Sequence, residues 1–335
     1  MKKRKKAGTS GAETRRDKDM AVISSGCKAI DELFAGGLKT QVLTLLFGIP
    51  NLGKTWLCYQ FACMCTRPEK VGGLNKKVLY LDTEGFFFTE DTTNRFANYF
   101  KKRWSDCDPS KIEIVQVPDI FELGELFGMQ LDIRQEDARV TVVTKYPTEQ
   151  QKKLAKGKGK STVDTPTNKD KDWLEKAPVY QKVKSGEYGL IVIDSLTIPI
   201  KSEIASTTQN FPARTSIISA LLGACYPIAR RADVAVLITD HITSNPMSPG
   251  YQFGVGDPWG GRNILYYVKH IFGLYKPTKD LVKLYAPDGQ RIRRIARYRY
   301  PGLDMAVAIV KLEKDTGYID IPVKGAAQLA VVEDE

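Results

Sequence analysis

The chain has 335 residues, with 50 Lys and Arg against 39 Asp and Glu and a formal net charge of +11. This length suits one large α/β domain or two average ones, either of which buries a core without disulfide bonds. The cysteines include no CxxC pair, and no apolar run nears the roughly twenty residues that span a bilayer, which excludes a disulfide framework and a membrane-spanning chain. We expect a cytoplasmic protein with reduced cysteines. A metal site at Cys63 and Cys65 is disfavoured because no Cys/His cluster completes the ligand set.

Strand and helix signals alternate along most of the chain. In chain order, the predicted elements are helix 29–34, strand 42–47 with a helix after it, strand 77–82, helix 92–103, strand 112–117, helix 121–131, strand 189–194, helix 213–231 and strand 234–240. Segments 268–274, 291–299, 306–312 and 317–321 then alternate apolar and polar residues and predict antiparallel strands. The pattern predicts an α/β fold with a central, mostly parallel, twisted sheet flanked by helices and C-terminal antiparallel strands.

Two basic stretches interrupt this pattern. Residues 1–21 are rich in Lys and Arg and poor in apolar residues, so we expect a disordered tail. Residues 133–187 combine many lysines with the breakers Tyr146-Pro147, Thr165-Pro166 and Ala177-Pro178, which predicts a largely irregular insertion in which only residues 138–144 favour a β-hairpin. Such basic runs attract polyphosphates, so we expect contact with nucleic acid, the alternative being a merely solubilising surface.

A phosphate-binding loop is predicted between the second strand and its helix. Gly48-Ile49-Pro50-Asn51-Leu52-Gly53-Lys54-Thr55 fills every fixed position of the pattern GxxxxGK[ST]. The apolar segments on both sides supply the strand and the helix that a chance match would lack. In such a loop the backbone N–H groups hold a phosphate, Lys54 reaches the β- and γ-phosphates, and the Thr55 hydroxyl binds Mg²⁺. We therefore expect these eight residues and Trp56 to bind a nucleotide.

Polar residues follow three further predicted strands, at the edge where the phosphate loop lies. Asp194 ends an apolar strand in the manner of a Walker B element and is expected to bind Mg²⁺. Glu84 lies just past a strand end and is expected to orient and activate the attacking water. His241 follows the last of these strands, where it would contact the γ-phosphate and report its presence. The alternatives are a strand terminator, a solvated turn residue and an ordinary turn histidine.

Several ordered motifs together resemble one superfamily. The motifs are Ser24-Ser25-Gly26-Cys27-Lys28-Ala29-Ile30-Asp31-Glu32-Leu33 with Gly36-Gly37, Leu81-Asp82-Thr83-Glu84-Gly85-Phe86-Phe87, Leu190-Ile191-Val192-Ile193-Asp194-Ser195-Leu196, Lys201-Ser202-Glu203 with Pro212-Ala213-Arg214, and Pro258-Trp259-Gly260-Gly261 with Asn263. From about residue 23 to residue 321 the chain resembles the RecA-like P-loop NTPase core of the RecA/RadA recombinase superfamily, most closely archaeal RadA paralogues of the RadB kind.

The resemblance implies an activity and its partners. It implies ATP and Mg²⁺ bound by Lys54, Thr55 and Asp194, water activation by Glu84 and a γ-phosphate sensor at His241. It also implies two loops facing DNA, near residues 200–211 and 242–259. Candidates for contacts with DNA, expected to be single-stranded, are Lys201, Arg214 and Arg262. The implied function is a slow, DNA-modulated ATPase near the nucleoid that assists a main recombinase or another paralogue in homologous recombination and DNA repair, with a homo-oligomer as a further expectation.

The chain also departs from the superfamily pattern. Asp91 stands where an arginine is expected to contact the adenine, and Asp240-His241 replaces the expected Asn-Gln pair, which could slow hydrolysis or make it pH-sensitive. The helix-hairpin-helix domain that precedes the core of full RadA recombinases is not seen, which favours an assisting paralogue. Two other interpretations remain, a KaiC-like regulatory ATP-binding module that acts through proteins without DNA, and an ATP-bound scaffold that does not hydrolyse.

The expected organisation along the chain has five parts. They are a basic tail at 1–21, the first part of the ATPase core at 22–132, the basic insertion at 133–187, the second part of the core at 188–325 and an acidic tail at 326–335.

Overall fold

Six parallel strands form one side of a large sheet, up to its edge, in the computed structural model, which describes residues 20–136, 139–145, 171–204, 210–243, 257–321 and 329–331. In spatial order they are β12 (His270–Tyr275), β3 (Leu43–Gly48), β9 (Ala235–Asp240), β8 (Tyr188–Asp194), β4 (Lys77–Asp82) and β5 (Ile112–Gln116). Beyond β12 the sheet becomes antiparallel through β13 (Ile292–Arg299) and β14 (Ala306–Glu313), and β14 pairs with both β15 (Gly317–Asp320) and β16 (Leu329–Val331).

Three small antiparallel pairs lie outside this sheet. They are β1 (Val22–Ile23) with β2 (Leu38–Lys39), β6 (Gln130–Glu136) with β7 (Arg139–Lys145), and β10 (Ile242–Thr243) with β11 (Asp257–Pro258). The helices are α1 (Lys28–Leu33), α2 (Lys54–Thr66), α3 (Glu90–Arg103), α4 (Ile120–Leu126), α5 (Lys171–Lys176), α6 (Pro178–Val183), α7 (Ile198–Glu203), α8 (Phe211–Ala232), α9 (Arg262–Tyr267) and α10 (Lys279–Leu284).

Helices cover both faces of the sheet. Leu45 and Phe47 of β3 belong to a core that includes the buried residues of α8, whereas Leu46 belongs to a second core built around α2. Successive residues of a strand point to opposite faces, so a strand buried on both sides reads as one continuous apolar run. The predicted fold class, a mostly parallel central sheet with flanking helices and C-terminal antiparallel strands, is confirmed.

The predicted helix 121–131 is wrong at its C-terminal end. The helix α4 ends at Leu126, and Gly128 adopts a left-handed φ of 74°. A Cβ at this glycine would lie 3.1 Å from the Ala177 side chain, so the chain turns there at close quarters. Residues 130–136 then form a strand, β6, and the predicted hairpin is larger than residues 138–144 because it includes that strand.

The prediction of an irregular segment at 133–187 is also wrong for the part that the structure describes. Besides the hairpin, the segment contains α5 and α6, whose Trp173, Leu174 and Val183 are buried in the α8-side core. Pro178, a predicted breaker, lies in the first turn of α6, where its missing N–H costs nothing. Residues 146–170 lie outside the described residues.

One predicted strand direction needs correction. The strand predicted at 268–274 is antiparallel to β13 as expected, but it is parallel to β3. The helix α9 precedes it and provides the crossover that a parallel connection requires. Of the predicted acidic tail at 326–335, residues 329–331 form β16. Most of the basic tail and residues 205–209 and 244–256 lie outside the described residues. Within the described ranges, none of the helices could span a lipid bilayer.

A buried glutamine fastens α2 to the C-terminal strands. Gln60 is fully buried, and its amide Nε2 donates to the carbonyl oxygens of Ser25 at 2.6 Å and Tyr318 at 3.1 Å. Its Oε1 accepts the Tyr318 N–H at 2.7 Å. This one side chain therefore joins the helix that follows the phosphate loop to β15 and to the segment before α1.

We predict that Gln60→Leu lowers the free energy of unfolding by about 2–4 kcal/mol, because it leaves buried backbone groups without partners. Chemical denaturation followed by circular dichroism measures the change. Gln290→Leu, at an exposed position, serves as the matched control and should have a much smaller effect. Equal stability of the two variants would contradict the proposed role of Gln60.

Candidate functional site

The phosphate loop turns at the edge of the sheet where the parallel strands end. The strand β3 ends at Gly48 and α2 begins at Lys54, with left-handed φ values of 63° at Asn51 and 101° at Gly53 between them. A Cβ at Gly53 would lie 2.6 Å from the Tyr318 hydroxyl oxygen, so only glycine fits there. The predicted nucleotide-binding residues 48–56 thus lie together in this turn and in the first turn of α2.

Side chains of the protein donate hydrogen bonds to carbonyl oxygens of this loop. The Leu52 oxygen accepts from the Tyr318 hydroxyl at 2.9 Å and from Arg293 Nε at 3.1 Å. The oxygens of Gly48 and Ile49 accept from Lys54 Nζ at 3.0 and 3.2 Å. Because these carbonyl oxygens already accept hydrogen bonds, the loop can present its N–H groups to an anion. The loop lies at the N-terminus of α2, where the helix dipole favours negative charge.

The ammonium group of Lys54 is buried beside several acids. The residue is only 7% exposed. Burial lowers the pKa of Lys54, while Glu84, Asp194 and Asp240 act against that shift by their negative charge. These three acids follow or end three different strands, so the sheet gathers them around one cation.

Asp194 ends β8 and is held by hydroxyl groups. Its Oδ2 accepts from the Tyr80 hydroxyl at 2.7 Å and its Oδ1 from Thr239 Oγ1 at 2.5 Å. Burial raises the pKa of Asp194, and hydrogen bonds from Thr239, Tyr80 and Thr55 oppose that rise. The structure therefore places Asp194 near Thr55, so that the two residues predicted to bind Mg²⁺ lie on the same side of the phosphate loop.

These oxygen donors fit a Mg²⁺ ion bound together with a nucleotide. Mg²⁺ commonly takes one or two protein oxygens and completes its octahedron with phosphates and water. A carboxylate and a hydroxyl beside the phosphate loop meet that requirement. Among the described residues, no group of three or more His, Cys, Asp or Glu side chains is placed to hold a metal by itself.

The loop that presents Glu84 is organised by Asp82, a residue that sequence reasoning missed as a site residue. Asp82 is buried at the end of β4, and its Oδ1 accepts the N–H groups of Glu84 and Phe86, both at 3.2 Å. Its Oδ2 accepts the Phe87 N–H at 2.8 Å and Gln116 Nε2 at 2.9 Å. An aspartate whose side chain accepts a backbone N–H two residues later is a recognisable turn signal in a sequence. The interpretation of Glu84 as a catalytic residue does not by itself reveal this role of Asp82.

Glu84 and His241 contact each other directly. Glu84 Oε1 lies 3.2 Å from His241 Nε2, so the residue predicted to activate water touches the residue predicted to sense the γ-phosphate. The hydrogen bond from His241 is the main cause that lowers the pKa of Glu84, burial opposes it, and Ser195 and Lys54 add to the lowering. Glu84 is therefore held in its ionised form.

The ends of β4 and β8 are joined by a threonine. Thr83 Oγ1 donates to the Ser195 carbonyl oxygen and accepts the Ser195 N–H, both at 2.6 Å. The Thr83 N–H donates to the Asp194 carbonyl oxygen at 2.9 Å. These bonds fix the spacing between the strand end that carries Asp194 and the loop that carries Glu84.

Two of the predicted DNA-contacting cations share one aromatic ring. Lys201 Nζ and the Arg214 guanidinium carbon each lie 4.8 Å from the centre of the Trp259 ring. The backbone N–H of Trp259 donates to the His241 carbonyl oxygen at 2.9 Å. Sequence reasoning did not identify Trp259 as an organising residue, since its two partners come from distant segments. The third predicted residue, Arg262, lies at the start of α9.

Asp240, which replaces the expected asparagine, is buried between the same elements. Its Oδ1 accepts from Thr197 Oγ1 and from the His241 N–H, both at 2.7 Å. Burial raises the pKa of Asp240, and its hydrogen bonds and the positive charge of Lys201 act in the opposite direction.

The departure at Asp91 has a structural counterpart on α3. The Asp91 carboxylate pairs with Arg95 Nη2 at 2.5 Å, one helical turn later. Both side chains are largely exposed. A guanidinium group therefore does lie beside position 91, although residue 91 does not supply it.

A family model described as Rad51 matches residues 15–106 of the chain. This match supports a place in the RecA/RadA recombinase superfamily. The matched segment includes β3, the phosphate loop, α2, β4, Glu84 and α3, so it contains the loop side of the RecA-like site. At the level of the superfamily it supports an ATPase-type core, binding of a nucleotide and Mg²⁺, and a general role in recombination or repair. Asp194 and His241 lie outside the matched segment, and their place in the site depends on the geometry described above.

We predict that His241→Ala raises the pKa of Glu84, because it removes the main cause of the lowering and leaves burial to act against Ser195 and Lys54. Carboxyl carbon shifts followed over a pH titration by NMR measure the change, with Glu84→Gln to assign the signal. In the wild type, the lowered pKa means that ionised Glu84 adds stability above its ordinary value of 4.5, and that this stability is lost as the pH falls through the lowered value. An unchanged pKa in the variant would show that the contact does not control Glu84.

Proposed function

We propose that this protein is an ATPase of the RadA/RadB kind that assists homologous recombination and DNA repair. The observation that carries the proposal is the gathering of Lys54, Asp194, Glu84 and His241 at one edge of a parallel sheet, with Glu84 and His241 in contact at 3.2 Å. The partners proposed are single-stranded DNA and a main recombinase or another paralogue, and the protein acts in the cytoplasm at the nucleoid.

In the proposed mechanism the phosphate loop and Lys54 bind the phosphates of ATP. Lys54 exchanges its bonds to Gly48 and Ile49 for the β- and γ-phosphate oxygens and neutralises part of their charge. Thr55 and Asp194 would hold Mg²⁺, which would supply charge neutralisation on the phosphates. Tyr80 and Thr239 orient the Asp194 carboxylate for this role.

Glu84 orients the attacking water and accepts its proton. A general base works best when its pKa lies near the working pH. The pKa of Glu84 lies below its ordinary value because His241 donates a hydrogen bond to it. Glu84 is therefore a weak base in this arrangement, which supports the proposal of slow hydrolysis. A γ-phosphate that takes His241 away from Glu84 would release this restraint and connect nucleotide binding with base strength.

The proposed DNA contact involves the cluster of Lys201, Arg214 and Trp259. Cations around an aromatic ring suit single strands, in which bases stack on rings and phosphates meet positive charge. The backbone N–H of Trp259 donates to the His241 carbonyl oxygen, so the cluster lies beside the backbone of the proposed γ-phosphate sensor. Arg262 is proposed to add a phosphate contact beside it. The net charge of +11 supports attraction to a polyanion.

A regulatory ATP-binding module that acts through protein partners without DNA is the second candidate. One observation favours it, since Arg214 is only 9% exposed and packs on Trp259. That placement gives Arg214 a structural role that needs no DNA.

The proposed organisation keeps the five parts expected from the sequence. Residues 22–132 and 188–325 form the two parts of the ATPase core, separated by the insertion 133–187 and flanked by the tails 1–21 and 326–335. The insertion is proposed to contact DNA or a partner, and assembly into a homo-oligomer is proposed as well.

ATP turnover measured with and without single-stranded DNA, across a series of salt concentrations, tests the proposal. We predict that Lys54→Ala abolishes ATP binding and turnover, because the phosphates lose their cation. Glu84→Gln should retain ATP binding while turnover falls by about 10²–10⁴-fold, the contribution typical of a general base. Lys102→Ala, an exposed lysine on α3, is the matched control and should leave both unchanged.

Two outcomes would contradict the proposal at different points. Undiminished turnover in Lys54→Ala would show that the proposed site is wrong. A steep loss of DNA binding with rising salt is expected from phosphate contacts, and an absence of DNA binding at every salt concentration would favour the regulatory module instead.

A further inference from the structure

A cavity lies beside the phosphate loop, on the side of β12. Its volume is about 700 Å³, and its walls are the loop residues 49–52, parts of the segment 276–291 that joins β12 to β13, and Arg293 of β13. Neither Lys54 nor Asp194 lines it. The cavity therefore shares loop residues 49–52 with the proposed ATP site, but not Lys54, Thr55 or Asp194.

Four cations and no acid line this cavity. The cations are Lys276, Lys279, Lys283 and Arg293. All three lysines are exposed, and in the described part of the chain none of them forms an ion pair with a carboxylate. Like charges that line one cavity repel one another, and a bound polyanion would relieve that repulsion.

The acids on the neighbouring elements are mostly engaged with other cations. Asp288 pairs with Lys311 at 2.8 Å, and Glu313 pairs with Arg291 at 2.9 Å. Asp280 lies on α10 but does not line the cavity. The positive charge of the cavity is therefore left for a ligand.

The wall formed by this segment is firmly built. Arg293 donates from Nε to the Leu52 oxygen at 3.1 Å and from Nη1 to the Gln290 and Ile292 oxygens at 2.7 and 2.9 Å. A Cβ at Gly289 would lie 2.3 Å from the Val282 oxygen, so the turn before β13 packs closely on α10. The cations are thus carried on a wall that is fixed to the phosphate loop, with Arg293 as the connection.

We propose that this cavity is a second anion-binding site and that its ligand is a free nucleoside di- or triphosphate. Its volume falls in the range of about 300–1,000 Å³ that small-molecule sites occupy. The three lysines and Arg293 meet the phosphates, and the apolar surface of Pro50, Pro277 and Val282 meets the base. The site is separate from the proposed ATP site, and its existence does not depend on ATP hydrolysis at that site.

Occupancy of this site acts on the phosphate loop. Arg293 is bonded to the Leu52 oxygen, and residues 49–52 form a wall of both sites. A ligand that binds Arg293 changes its hydrogen bond to the Leu52 oxygen and so changes the phosphate loop. Binding at each of the two sites therefore changes the affinity of the other by the same factor.

Isothermal titration of the full chain with ADP, and separately with inorganic tripolyphosphate, tests the proposal by counting sites. The variants are Lys279→Glu/Lys283→Glu for the cavity and Lys54→Ala for the phosphate loop. Lys101→Glu/Lys102→Glu, an exposed pair on α3, is the matched control for the charge change. We expect two ADP per chain in the wild type and the control, and one in each of the other variants. Tripolyphosphate should also bind to Lys54→Ala, because the lysines recognise phosphates.

The outcomes separate this inference from the proposed function. A single site in the wild type that is lost in Lys54→Ala and kept in the cavity variant would overturn the second site and leave the ATPase proposal standing. A single site lost only in the cavity variant would support the second site and contradict the ATPase proposal. Binding of Lys54→Ala to a single-stranded oligonucleotide but not to ADP or tripolyphosphate would also overturn the inference.

Discussion

The buried ammonium of Lys54 and the acids around it are the constraint on which the rest of the site depends. A buried lysine keeps its charge only if negative groups compensate for the lost water, and here Glu84, Asp194 and Asp240 do so. The sheet places them by its register, since Asp82 lies opposite Asp194 between β4 and β8 and Phe47 lies opposite Asp240 between β3 and β9. A shift of either register would separate the cation from its partners.

The same arrangement has a cost in stability. Burial raises the pKa of Asp194, which means that its ionised form destabilises the folded state at pH values above the ordinary value of 3.8. Hydrogen bonds from Tyr80 and Thr239 reduce this cost without removing it. Buried acids kept at such a cost are common where a protein must bind a cation, and this agrees with the proposed Mg²⁺ site.

Sequence reasoning could predict the parts of the site that are local. The pattern of residues 48–55 is fixed by backbone geometry, and acids at the ends of apolar strands are visible in the chain itself. The roles of Asp82 and Trp259 could not be predicted, because they depend on which distant segments meet. The cations over the Trp259 ring come from α7 and α8. The acids that act on Lys54 come from the ends of three different strands.

The errors in the predicted fold have equally specific causes. The strand at 130–136 crosses the predicted boundary between the helix 121–131 and the irregular insertion from residue 133. Its few apolar residues give a weak periodic signal, and Gly128 marks the true end of the helix. The helices α5 and α6 are only 6 residues each, too short for periodicity to show, and Pro178 suggested a break where it in fact begins a helix. The long, strongly apolar strands carried enough signal to be predicted within one or two residues.

A crystal structure with Mg²⁺ and a non-hydrolysable ATP analogue tests the central claim most directly. The account predicts that Lys54 Nζ leaves the Gly48 and Ile49 oxygens and contacts the γ-phosphate, with Mg²⁺ on the side of Thr55 and Asp194 and with Glu84 and His241 facing the γ-phosphate. A nucleotide bound elsewhere, with Lys54 still bonded to those two carbonyl oxygens, would contradict it.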